Sequence, residues 1–192
     1  MDIVLAEHSD RFAAAFEMER QRLMEQLQGC PAPIIAHIGS TAVPGLKAKP
    51  IIDMMLGFAQ EQDLDQAVAL LVRDQHCIYY PHYETELPFR RFIIKTKTIE
   101  KGIATRKALK PNIVPPLMPA VVHRSHHLHL VQHDHPFWKS HLLFRNALRA
   151  DEKLRKAYEA LKVDLAKRTW SHTNDYAYAK SAFIESALNK LI

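Results

Sequence analysis

Cysteine, glycine and long apolar runs are all scarce in this chain, and each scarcity closes off a class of protein. Two cysteines occur in 192 residues, Cys30 and Cys77, far apart and outside any metal-ligand spacing. They read as ordinary thiols in a reducing, cytoplasmic compartment. No apolar run approaches the ~20 residues that span a bilayer, so no membrane is expected as a partner. The start, Met1 to Glu7, is acidic and lacks a signal-peptide pattern. There is no His-Glu-x-x-His, hence no zinc-protease signal. The five glycines form no P-loop: five residues separate Gly39 from Gly45, Leu46 intrudes before Lys47, and no Ser or Thr follows.

What is present is a soluble-domain composition, 47% hydrophobic and 24% charged, long enough to bury a full core. The net charge of +5 is uneven. Residues 95–125 hold seven Lys or Arg against one acid, Glu100, and no aromatic residue. A solvated loop or an anionic ligand explains such a run, and the lack of stacking rings argues against nucleic acid.

Periodicity predicts a helix over 9–28, with Phe12, Phe16, Leu23 and Leu27 on one face and Gly29 as its stop. Strands are expected at 34–38, 51–58, 77–80, 90–97 and 126–132, and helices at 61–75, 136–150, 152–169 and 174–191. Prolines 111, 115, 116 and 119 rule out a regular element late in 98–122. The expectation is one α+β domain over 1–192. A mixed sheet with an N-terminal helix fills 1–135, and a C-terminal helical layer fills 136–192.

The most informative stretch is His37-Ile38-Gly39-Ser40-Thr41 followed by Lys49-Pro50-Ile51-Ile52-Asp53. An apolar strand ends in a small hydroxyl-rich turn, and thirteen residues after Ser40 an acid stands inside a second apolar strand. The turn can offer N–H groups and hydroxyls to a phosphate, and the acid can meet the phosphate's metal ion. A carboxylate inside Pro-Ile-Ile-Asp-Met-Met-Leu is costly to bury without a partner, which Lys49 or an arginine also satisfies. Strand alternation puts His127 and His129 on one face, and one strand pairing adds His37 and Asp53 to it. Asp53, His127 and His129 would then form a two-histidine, one-carboxylate metal set, or the imidazoles would donate to phosphate. Arg90, Arg91, Arg145, Lys162 and Lys180 are basic residues near predicted element faces. Arg145, beside Phe144, is expected to meet Asp53 or a bound phosphate.

These residues resemble the GrpB family. The resemblance runs through His37–Leu46, Ala48–Asp53, Arg91-Phe92 and His127–Leu130. It continues through Phe144-Arg145, Leu148-Arg149, Tyr158, Leu161-Lys162, Tyr178–Lys180 and Phe183-Ile184. It implies a nucleotidyltransferase-like fold, similar to antibiotic nucleotidyltransferases. The resemblance itself brings no assigned reaction; on such a fold the residues lead to the expectation of an NTP bound with Mg²⁺ or Mn²⁺ and a nucleotidyl group passed to a small acceptor. Gly39, Ser40, Thr41, Lys49, Arg91, Arg145, Lys162 and Lys180 would hold the nucleotide. Asp53, His127 and His129 would hold metal, and His37 would act with Asp53 as the catalytic pair. Two departures stand out. Met55 occupies the second position of the usual Asp-x-Asp, and His127 and His129 stand where a third carboxylate is usual. A binding protein for a nucleotide or CoA-type ligand, keeping the pocket without the second acid, is the alternative.

Overall fold

The computed structural model describes residues 2–98, 123–170 and 173–191. Apart from residue 98, the proline-rich segment 98–122 lies outside them. Helix α1 (Arg11–Gln26) leads to strand β1 (Ile34–Ile38) and a 3₁₀ turn at Ser40–Ala42. Strand β2 (Ile52–Phe58), helix α2 (Glu61–Leu71), strand β3 (Cys77–Tyr79) and strand β4 (Arg91–Thr96) follow, with a second 3₁₀ turn at Pro81–Glu84. After strand β5 (Arg124–Gln132) the chain is helical: α3 (Pro136–Ala150), α4 (Glu152–Ala166), α5 (Thr173–Tyr178) and α6 (Ser181–Leu188).

Local chemistry explains the boundaries. Gln60 and Asp63 bond each other's backbone and open α2 with a capping box. Pro136 stands in the first turn of α3, where its missing N–H costs nothing. The Asp151 carboxylate accepts from the N–H groups of Lys153 and Leu154 and starts α4. The single C-terminal helix expected over 174–191 is two, because the chain turns at Ala179-Lys180 and restarts as α6.

The five strands form one mixed sheet in the order β1-β2-β5-β4-β3. β2 and β5 run parallel at its centre, and every other pair is antiparallel. β2 is buried along almost its whole length, because both faces of the sheet are covered. On one face Met54, Leu56, Ile93, Leu128 and Leu130 pack with Phe12 and Leu23 of α1 and Leu64 of α2. On the other, Ile38, Met55 and Val131 pack with Trp138 of α3. The face packed on α1 and α2, termed the helical face, and the site face under α3 to α6 are therefore separate layers.

The first face also buries charge. The Lys95 ammonium donates to Glu19 at 2.6 Å and pairs with Asp74 at 3.1 Å. Lys95 and Glu19 are 4% and 3% exposed, so each needs the other in place. The bridge pins α1 to β4. Replacing Lys95 with Met is expected to leave buried Glu19 with only Arg22, at 3.5 Å, and cost about 3 kcal/mol of stability, read from urea unfolding. The double replacement Lys95→Met, Glu19→Leu should recover most of that loss.

Candidate functional site

The site lies on the second face, under the C-terminal helices, and register decides what reaches it. β2 and β5 run in step so that Asp53 stands opposite His127 and Met55 opposite His129. Phe92 of β4 stands opposite His129. Ile38 stands opposite Asp53, so the turn that follows β1 emerges beside the carboxylate. Asp53, His127 and His129 thus share one face, as strand alternation predicts.

His37 does not join them. It pairs with Met54 and falls on the helical face. Its Nε2 lies 3.0 Å from the Thr41 hydroxyl, and its ring stacks on Phe16 at 4.7 Å. Burial pushes its pKa down to about 4, so the ring is neutral at pH 7. The antiparallel register, one residue out of step with the expected pairing, excludes it from the cavity. Arg91 is displaced for the same reason. It faces Leu130, bonds Asp65 at 2.7 Å and the Pro88 carbonyl at 2.7 Å, and sits near Glu84. Arg90, one residue earlier, lines the cavity in its place.

Gly39 brings the turn against Asp53. Its φ is +68°, a left-handed conformation, and a Cβ built there would lie 2.4 Å from Asp53 Oδ2. Three basic side chains from the helical layer fasten the loop that follows. Lys162 of α4 donates to Ser40 Oγ at 3.2 Å and to the Lys47 carbonyl. Arg149 of α3 donates twice to the Ala42 carbonyl. Arg145 donates to the His37 carbonyl at 2.7 Å and to Asn146, and not to Asp53. Thr41 is buried and its hydroxyl is shared between His37 and the Ile51 carbonyl.

The resulting cavity measures about 410 Å³. Six Lys and Arg side chains line it (Lys49, Arg90, Arg124, Arg145, Lys162, Lys180) against two carboxylates, Asp53 and Glu86. Lys49 and Lys180 both lie over the Tyr176 ring, at 4.9 and 4.5 Å from its centre. Crowding and burial show in their titration. Burial, with Lys180 nearby, lowers Lys162 to about 7. Burial, with Lys49 nearby, lowers Lys180 to about 8. Burial also lowers Lys49, against the pull of Asp53.

Asp53 behaves oppositely. Burial alone would raise its carboxyl, but the His127 hydrogen bond and the surrounding His127, His129 and Lys49 outweigh that and hold it near 2. It is a carboxylate at neutral pH. A carboxylate only accepts, so the His127 Nδ1–H donates to Asp53 Oδ1 at 2.9 Å. His127 Nε2 is shut away from solvent without a partner. His129 Nδ1 faces Arg90 Nη1 at 3.4 Å. Among the described residues no three His, Cys, Asp or Glu side chains converge on a metal position. Of the expected set, His127 Nδ1 is turned to Asp53, His127 Nε2 is buried without a partner, and His129 Nδ1 is turned to a guanidinium. Met55 is fully buried against Ile38, Val131 and Trp138, so the place of a second acid is packed core.

Arg90, Arg124, His141 and Tyr176 line the cavity without having been expected there. His141 had a legible signal, one helical turn after Phe137 on the inward face of α3. Arg124 and Tyr176 had none, because only tertiary packing brings them in.

The close approach at Gly39 is testable. Gly39→Ala should cost about 1–3 kcal/mol in urea unfolding through backbone strain and displacement of Asp53. Gly45, at φ +75°, has open space around its Cβ position, so Gly45→Ala should lose only the backbone part.

Known proteins are similar to this chain in sequence and in fold. The family model described as GrpB protein matches residues 2–190. The chain is 25% identical to the "Glutamate-rich protein GrpB" of Alkalihalophilus pseudofirmus, over 99% of this chain and 96% of that one. It is 30% identical to "UPF0157 protein SCO7215" of Streptomyces coelicolor, over 96% and 81% of the two chains. It is 28% identical to "UPF0157 protein YqkA" of Bacillus subtilis, of which it spans 46%. Among solved structures it matches the conserved protein GrpB from Enterococcus faecalis, with a TM-score of 0.71 and 28% identity over 98% and 96% of the chains. With an α+β fold, a five-stranded mixed sheet and this match over its whole length, the chain belongs to the GrpB family.

Proposed function

We propose that the chain binds a nucleotide-type phosphate ligand in this cavity, with lysine and arginine side chains countering its charge. The observation that carries the reading is the surplus of six basic side chains over two carboxylates. Buried like charges repel, and two of the lysines are held at depressed pKa values. An anion is the group that relieves this. The volume suits a small ligand, since such pockets measure roughly 300–1,000 Å³. Tyr83, Phe92, Tyr158 and Tyr178 add apolar and aromatic wall for a base or ring.

A second reading is transfer of a nucleotidyl group to a small acceptor on a nucleotidyltransferase-like fold. The Gly39 contact favours it, because it presses a Gly-Ser turn against a strand carboxylate. Mg²⁺ or Mn²⁺ belongs to that reading. Among the described residues no third ligand stands beside Asp53 and His127, so the residues present do not complete a site for the ion.

Binding of labelled ATP separates the two. In EDTA, ATP should bind, and its Kd should weaken steeply between 50 and 300 mM salt. Binding that demands Mn²⁺ would refute the proposal that side chains suffice. Release of pyrophosphate on adding Mn²⁺ would establish transfer. Asp53→Asn removes the central negative charge. It should tighten ATP by about fivefold, the equivalent of ~1 kcal/mol of repulsion. Under the transfer reading the same variant loses all turnover.

Binding should also move protons. At pH 8 free Lys162, at about 7, is mostly neutral and Lys180, at about 8, is half charged. A polyphosphate favours the ammonium forms and raises both pKa values. Calorimetry in buffers of different ionisation heat should show uptake of about one proton at pH 8, vanishing at pH 6 where both lysines are already charged.

A further inference from the structure

Four imidazoles stand near Asp53, and their hydrogen-bond partners fix which nitrogen of each carries the proton. His37 is on the wrong face and its Nε2 is engaged by Thr41. His127 gives its Nδ1–H to Asp53, and its Nε2 is buried from solvent without a partner. His129 faces the Arg90 guanidinium with Nδ1. A guanidinium only donates, so Nδ1 is the lone pair and the proton sits on Nε2. His129 therefore offers the cavity a donor.

His141 is the exception. Its Nδ1 lies 2.8 Å from the Phe137 carbonyl, one helical turn back on α3. A carbonyl only accepts, so Nδ1 carries the proton and Nε2 keeps its lone pair. That bond fixes the tautomer and the ring's direction together. His141 lines the cavity with Ser40 and Asp53, and its Nε2 is not among the nitrogens buried without a partner. Facing it are Arg90 from the approach to β4, Asp53 from β2 and His129 from β5. Burial lowers its pKa, with Arg90 adding to the effect, so the ring is neutral at pH 7.

We propose that His141 is the catalytic base of this cavity, its Nε2 accepting the proton of an attacking hydroxyl. The proposal rests on the nucleotidyl-transfer reading and supplies the residue that reading lacks. The step balances within the ligands present. The acceptor's O–H bond breaks and its proton passes to His141 Nε2. The freed oxygen pair forms a bond to the α-phosphorus. The bond from that phosphorus to the bridging oxygen breaks, and pyrophosphate leaves with the electron pair. His129, as an N–H donor, is placed to bond a phosphoryl oxygen rather than to take a proton.

Two measurements test this. Diethyl pyrocarbonate acylates open, unprotonated imidazole nitrogen, and peptide mapping locates the adduct. At pH 7 His141 should react at least tenfold faster than His127 and His129, and ATP should protect it. A native protein in which His141 resists the reagent while His129 reacts overturns the proposal. The second test is His141→Asn, which keeps a donor for the Phe137 carbonyl and removes Nε2. It should melt within a few degrees of the parent and bind ATP within twofold, yet release pyrophosphate 10²- to 10⁴-fold more slowly in single turnovers, the usual contribution of a general base. His141→Gln, if better folded, serves as the second variant with the same expectation. Wild-type turnover in either variant overturns the assignment. A parent protein that binds ATP but releases no pyrophosphate to any hydroxyl acceptor, water included, also overturns it, and leaves the binding reading standing.

Discussion

The parallel pairing of β2 with β5 is the constraint on which the rest of the site depends. It sets Asp53 opposite His127, and the carboxylate finds its hydrogen bond on the neighbouring strand rather than in solvent. A lone aspartate in an apolar strand would otherwise be among the most costly residues in the fold. With the bond made, the acid stays ionised in the cavity floor. The same pairing turns Met55 into the apolar cluster with Trp138, so the strand supplies one acid and then one core residue.

Above that floor, three basic side chains of the helical layer are committed to backbone. Lys162, Arg145 and Arg149 each bond a main-chain carbonyl of the β1 end or of the loop after it. They shape the turn that carries Ser40 before they meet any ligand. Lys49 and Lys180 are different, since the contact they share is a tyrosine face. The cavity thus divides its positive charge between cations that build the wall and cations that crowd behind an aromatic ring.

Much of the fold was legible because the periodicities were clean. β1 and α3 fall on the expected residues, and the other elements differ by a few residues at their ends, except the last helix, which is two. The layered α+β plan followed from strands early and helices late. The shared face of Asp53, His127 and His129 was legible too, since alternation within a strand is local. What was not legible was register between strands. His37 and Arg91 each alternate correctly on their own strands, yet the pairing sends both to the helical face. Arg90 lines the cavity because it precedes Arg91 by one residue, while Arg124 and Tyr176 enter it by tertiary packing alone. The break between α5 and α6 had no glycine or proline to announce it, and Lys180 at that turn reaches the cavity all the same.

The Arg145 bond to the His37 carbonyl has a consequence beyond the cavity. β1 is an outer strand, five residues of Ile-Ile-Ala-His-Ile with Ile34 57% exposed. An outer strand is where a foreign strand can add, and Ile34 is the exposed residue of this one. Pro31 and Pro33 blunt its entry, and the guanidinium from α3 occupies its far end. The helical layer therefore also holds down one end of an outer strand, the part of a sheet most open to pairing with another chain.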